Sequence, residues 1–277
     1  MLRRLLLLTL LAVTGCAAAG PPLTVATTPP PPDPTALIGW WRLADSERVV
    51  LIDPAAIEVL DGGLTLTGTW QADPTGRMVA YIDSLSGADP KNPAADSGPG
   101  LTPDWLAAVA GFRAEGADRL LLDRSGAPTA RLVPEPPVTG SGVVDPARPI
   151  TDPERARFAP AAPVPAPLVP AAEADLLGRW TPVGSTIGAY AQFEAGGEWS
   201  GSDGCNGAGG SWLAGADGGF LAGASGVSTL IACDGPAGDR PVDVGAQLGA
   251  TRRVALDGAE LVLLDAAGQE VARYQRG

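Results

Sequence analysis

The chain has 277 residues, long enough for one or two domains that each bury a core of their own. Acids (31) outnumber Lys plus Arg (19), for a net charge of −12, which argues against nucleic acid as a partner and against adhesion to anionic lipid. Abundant Gly (37) and Pro (28) argue against a helical bundle, and the absence of His removes the Ser-His and Cys-His nucleophile arrangements.

The first segment opens on the charged stretch Met1-Leu2-Arg3-Arg4. The apolar run Leu5 to Val13 follows, too short to span a bilayer as a helix and suited to a secretory signal peptide. It closes on Val13-Thr14-Gly15-Cys16, which resembles the lipobox of bacterial lipoproteins. That resemblance implies removal of residues 1–15 and acylation of Cys16. The chain is then expected to be anchored by lipid in the cell membrane or outer membrane, facing outside the cytoplasm. Acyl chains contribute about 0.8 kcal/mol per buried methylene, so several on one Cys anchor stably. An ordinary signal peptide with an incidental Cys is the competing reading.

Residues 16–36 include Pro29-Pro30-Pro31-Pro32-Asp33-Pro34 and form a Pro-rich tether that, fully extended, reaches about 60 Å. A first domain is expected over 37–133, a Pro-rich linker over 134–172 and a second domain over 173–277. The linker, marked by Pro160, Pro163, Pro165, Pro167 and Pro170, is not expected to continue a sheet or a helix.

The two domains are read from an internal repeat. Gly116-Ala117-Asp118-Arg119-Leu120-Leu121-Leu122-Asp123 recurs as Gly258-Ala259-Glu260-Leu261-Val262-Leu263-Leu264-Asp265, an offset of 142 residues. The same offset pairs Trp70 with Trp212 and Gly76 with Gly218. Near the front it slips by three, pairing Gly39 with Gly178 and Trp41 with Trp180. A unit of about 100 residues repeated once is a pair of domains and not a solenoid.

Within each copy the pattern reads as strands. Ala55–Leu60 and Leu64–Trp70 flank Asp61-Gly62-Gly63, a hairpin signal. One helix per copy is expected late in the unit. The first is capped at Thr102-Pro103-Asp104 and runs through Trp105–Ala110; the second covers Val242–Leu248. The fold class that follows is α+β, mainly antiparallel β, with each copy a curved sheet or partial barrel closed by its helix.

In the second copy Gly201-Ser202-Asp203-Gly204-Cys205-Asn206-Gly207-Ala208-Gly209-Gly210-Ser211-Trp212 is followed by Thr229-Leu230-Ile231-Ala232-Cys233. The order G-x-x-G-C-N-x-x-x-G-x-aromatic, then T-x-x-A-C, resembles the META domain, also called HslJ-like. Its motif positions here are Gly201, Gly204, Asn206, Gly210, Trp212 and Thr229. The resemblance implies a small α+β domain, often on envelope lipoproteins and linked to stress responses, with no catalytic residue to carry over. The first copy diverges: Gly63 and Leu64 stand where Cys205 and Asn206 stand, and Lys91 or a neighbour stands opposite Cys233.

In an oxidising envelope Cys205 and Cys233 are expected to pair, contributing about 3.5 kcal/mol by loop entropy. A redox pair usually has C-x-x-C spacing, and a metal site would want His or further Cys. No metal or cofactor is therefore expected. Asn206 is read as a turn residue tolerant of positive φ. Asp123 and Asp265 are read as turn acids, with Arg131 and Arg273 paired to acids on neighbouring strands. The tryptophans are read as packing residues, an exposed Trp platform being the alternative. A two-carboxylate hydrolase needs only acids, yet no acid pair stands apart from the turns, so the chain is read as a non-enzyme. The expected partners are the bilayer, through Cys16, and an envelope protein or small ligand. The alternative function is an envelope-facing carbohydrate binder or enzyme inhibitor that uses exposed Trp residues.

Overall fold

Hairpin signals in the sequence become turns. At Asp61-Gly62-Gly63 both glycines take positive φ (58° and 93°), the geometry of a tight hairpin. The computed structural model describes residues 31–87, 96–97, 100–140, 142–223 and 242–277. Its first sheet is built from β1 (Gly39–Leu43), β2 (Val49–Ile52), β3 (Ala56–Asp61), β4 (Leu64–Ala72), β5 (Met78–Gly87) and β6 (Asp96–Ser97). After α1 (Asp104–Ala107) come β7 (Gly111–Glu115), β8 (Asp118–Leu122) and β9 (Pro128–Pro134). The strand order is β6-β5-β4-β3-β2-β1-β9-β8-β7, with every pair antiparallel.

The intervening segment carries α2 (Asp152–Arg157) and β10 (Val169–Pro170). Then follow α3 (Glu173–Leu176), β11 (Gly178–Pro182), β12 (Tyr190–Phe193), β13 (Glu198–Ser202), β14 (Gly207–Ala214) and β15 (Phe220–Ala222). The chain ends with α4 (Val244–Ala250), β16 (Arg253–Asp257), β17 (Glu260–Leu264) and β18 (Glu270–Arg276). This second sheet runs β10-β16-β17-β18-β11-β12-β13-β14-β15.

Apart from β6 and β10, the two sheets have the same strand order. The repeat is visible in their irregularities too. A register shift at Leu121/Leu122 recurs at Leu263/Leu264. A lone bridge joins Arg77 to Gly111 in the first sheet and Gly219 to Arg253 in the second. Each sheet therefore curls until its ends touch at one corner, a partial barrel and not a closed one. The Trp41 indole N–H donates to Leu37 O at 2.7 Å, and that of Trp180 to Leu176 O at 2.6 Å.

Each sheet wraps its own apolar core. Trp41, Ile57, Val59, Trp70, Met78, Ile82, Leu106 and Leu132 fill the first. Trp180, Phe193, Trp199, Trp212, Phe220, Leu248, Leu263 and Tyr274 fill the second. Phe193 and Phe220 meet edge-on at 6.1 Å, and Phe193 meets Trp212 at 5.0 Å.

The helices differ from expectation. The first is a single turn, and Thr102 does not cap it: its hydroxyl accepts the N–H of Ile82 on β5 at 2.9 Å. The second begins two residues later than expected, because Asp243 is the residue whose carboxylate accepts the Ala246 N–H. A cap needs a side-chain oxygen free to reach the first turn, and the sheet had already engaged that of Thr102.

The linker also departs from expectation, since it contributes both a helix and a strand. Thr151 and Glu154 form a reciprocal capping box that starts α2. Phe158, just after it, stacks on Trp70 in the first core at 5.3 Å. Arg148 reaches the buried Asp53 at 3.3 Å and Glu154 at 2.7 Å. Farther on, Val164 and Leu168 pack against Ala255, Val262 and Leu264, and β10 adds to the edge of β16. One segment thus binds both sheets, and Pro31–Gly277 is a single compact unit in which the expected two tandem domains appear as two sheets.

Candidate functional site

The two sheets meet along β5 and β14. Val79, Leu213 and Leu221 form a small apolar cluster of their own, with Ala110 against it. Around it run polar ties. Ser211 donates its hydroxyl to Ala80 O at 3.0 Å, and Gln71 donates to Gly249 O at 3.0 Å. Arg124 holds Glu173 at 2.5 Å and Trp212 O at 2.9 Å. Arg77 is shared between Asp73 (2.7 Å) and Asp217 (3.2 Å), and Asp217 also takes Arg253 at 2.5 Å. Burial pushes the Asp217 carboxyl up, but the Arg253 hydrogen bond, the Gly219 N–H and the charge of Arg77 prevail and hold it at about 2.

Beside these ties the seam opens into a groove of about 390 Å³. One wall is Ala80 and Tyr81 of β5 with Thr102 and, at the end of α1, Ala107. The other is the turn Gly196-Gly197 with Glu198, Trp199 and Ser200 of β13 and Gly207 to Ser211 of β14. Strand alternation sorts this second wall. Trp199, Ala208 and Trp212 face the core, so Glu198, Ser200, Gly207, Gly209 and Ser211 face outward toward the first sheet. Glycine at 207 and 209 leaves the wall low, and Glu194 and Glu198 stand exposed on its rim.

The motif residues make this wall possible. A Cβ on Gly201 would lie 2.6 Å from Tyr190 O, and one on Gly210 would lie 1.8 Å from Gly223 O, so neither position has room for a side chain. Gly204 takes φ 100° against Ile187. Asn206 lies in the turn as expected, but the positive φ belongs to Gly204 and not to Asn206, because a glycine was available two positions earlier. Asp203 organises the turn: its carboxylate accepts the backbone N–H of Cys205 (2.7 Å) and of Asn206. Burial raises the Asp203 carboxyl, yet the N–H groups of Asn206 and Cys205 outweigh it and hold it below its usual range. Trp212 is fully buried, its indole N–H donating to Glu198 O at 2.9 Å. Cys16, Thr229 and Cys233 lie outside the described residues.

The remaining expected residues are structural in place. Asp123 accepts Ser125 N (2.8 Å) and Ala127 N (2.9 Å), and Asp265 accepts Ala267 N (2.8 Å) and Gln269 N (2.9 Å). The Ser125 hydroxyl and the Ala127 N–H hold the Asp123 carboxyl below its usual value. Arg131 pairs with Glu115 and Asp118, and Arg273 pairs with Asp257, Glu260 and Glu270. The exposed-Trp platform does not exist: five of the seven tryptophans are buried and Trp40 and Trp105 are half-buried. Their indoles are the largest apolar surfaces in a chain with few aromatics, and the cores took them. Among the described residues no group of three His, Cys, Asp or Glu is placed to hold a metal ion, and no helix is long and apolar enough to cross a membrane.

Sequence reading missed Tyr81, Thr102, Glu194 and Glu198. Their convergence arises from packing one sheet on the other, and the local signal was the Glu194-Ala195-Gly196-Gly197-Glu198 hairpin turn.

The C-terminal part of the second sheet is similar to the META domain. Residues 182–277 match that family, which takes in the motif wall of the groove and everything after it. No curated protein and no solved structure matches the chain.

Proposed function

We propose that this protein is a non-catalytic binding protein of the cell envelope and that its ligand sits in the groove between the sheets. The observation that carries this reading is the groove itself. It is large enough for a small molecule, mainly apolar, and walled on one side by the META motif strands and on the other by the first sheet. Its described acids, Glu194 and Glu198, lie on the rim.

The reading includes an acyl anchor on Cys16, supported by the lipobox, and a META-like ancestry for the first sheet, supported by the shared strand order. It also includes a Cys205–Cys233 disulfide, supported by the tendency of two cysteines to pair in an oxidising compartment. Intact-mass analysis of the exported protein, before and after alkylation, tests both cysteine assignments. Unmodified Cys16, or two alkylated thiols without reduction, would refute the corresponding one. A role in envelope stress is part of the proposal, as the META resemblance implies.

The groove is tested by calorimetric titration with the neutral probe 4-phenylbutan-1-ol. Ala107→Trp, placed on the exposed side of α1, fills the groove without touching either core. The expected result is saturable binding to the unmodified protein and at least a tenfold loss in the variant. Equal binding by both would move the site elsewhere.

A further inference from the structure

The groove assigned above, on which this inference rests, has a one-sided charge. Glu194 and Glu198 stand at the two ends of the Gly196-Gly197 turn, exposed on the groove rim. Among the described residues neither forms an ion pair. Glu115, Glu135, Glu154, Glu173, Glu260 and Glu270, by contrast, each hold an arginine. A hydrogen bond from Gln192 Nε2 to Glu194 Oε1 at 2.8 Å comes from a neutral amide.

Among the described residues no lining residue is cationic. Arg124 lies against Gly197, but its guanidinium is committed to Glu173 and to Trp212 O. Beside the two glutamates the described lining joins the small apolar Ala80 and Ala107 and the glycines of the turn and of β14 to the neutral polar side chains of Tyr81, Thr102, Ser200 and Ser211. An apolar trough with two unneutralised carboxylates at its lip repels anions, treats neutral molecules indifferently and attracts cations that carry an apolar body. We infer that the groove takes an organic cation, an amine or quaternary ammonium whose apolar part lies between β5 and β14 with its charge at Glu194 and Glu198.

The test compares three probes that share one body: 4-phenylbutylammonium, 4-phenylbutan-1-ol and 4-phenylbutanoate. Each is titrated calorimetrically at low ionic strength into the mature protein, the Glu194→Gln/Glu198→Gln double variant and Ala107→Trp. An exposed charge pair is worth about two- to fivefold in affinity, so two carboxylates should favour the ammonium over the alcohol by about tenfold. The double variant should reduce the ammonium to the level of the alcohol and leave the alcohol unchanged, which also shows that the variant is folded. High salt should erase the same advantage. Should the ammonium bind no tighter than the alcohol, or should its advantage survive the double variant, the cation inference fails while the groove stands. If no probe binds, or binding persists in Ala107→Trp, the groove reading itself fails.

Discussion

Replacing Phe158 by Ala tests whether the segment between the sheets is a spacer or part of the core. Phe158 is only 6% exposed and its ring lies on Trp70 at 5.3 Å with an interplanar angle of 25°. Removing a core aromatic costs about 3–5 kcal/mol, of which the ring pair accounts for about 0.5–1.5 kcal/mol. The ring plugs the core from outside the sheet, so neighbouring atoms can partly collapse into the space it leaves. The lower end, about 3 kcal/mol, is therefore expected. For a unit of this size that corresponds to a fall in Tm of about 6–12 °C. Phe158→Leu, which keeps most of the volume, should cost less than about 1.5 kcal/mol. Urea unfolding followed by tryptophan fluorescence and by far-UV circular dichroism measures both. The two probes should share one midpoint, because the sheets are tied into one unit. A loss under about 1 kcal/mol for Phe158→Ala with an unchanged m-value would mean that the linker only rests on the surface.

Two further outcomes follow from the seam and the motif. Asp217 is held at about 2, below its unfolded value, so its stabilising effect is complete above about pH 4 and fades as pH falls toward 2. Asp217→Asn should flatten the Tm profile across that interval, and an unchanged slope would remove Asp217 from the acid response. Gly210→Ala drives a Cβ to within 1.8 Å of Gly223 O and should cost at least about 1–3 kcal/mol, whereas Gly196→Ala meets nothing within 4 Å and should be nearly neutral; equal Tm values for the two would contradict the close approach at Gly210.

Much of the strand layout was legible because its signals are local. Asp61-Gly62-Gly63 and the duplicated Leu-Leu-Asp-x-x-Gly report turns whose side chains bond their own backbone, as Asp123 and Asp265 do. Burial of Trp41, Trp70, Trp180 and Trp212 followed from their place in the repeat. What was hidden depends on residues far apart in sequence. Nothing near Thr102 indicates that Ile82 will take its hydroxyl. The prolines between 160 and 170 read as breakers, yet Pro170 lies at a sheet edge, where a missing N–H costs little. Glu198 reads as a hairpin acid until Ala107 and Tyr81 arrive opposite it.

The place of β1 within its sheet has a kinetic consequence. It lies between β2, its neighbour in sequence, and β9, which begins at Pro128. Trp41 therefore completes its pairing only when a strand some ninety residues later closes against it, and β11 waits in the same way for β18. Each half must pay for a long loop before the final contacts reward it, which places the chain among slow-folding, high-contact-order topologies. The hairpins β3–β4 and β13–β14 are the pieces able to form early. Until the last strand arrives, both flanks of the unfinished sheet remain open to wrong partners.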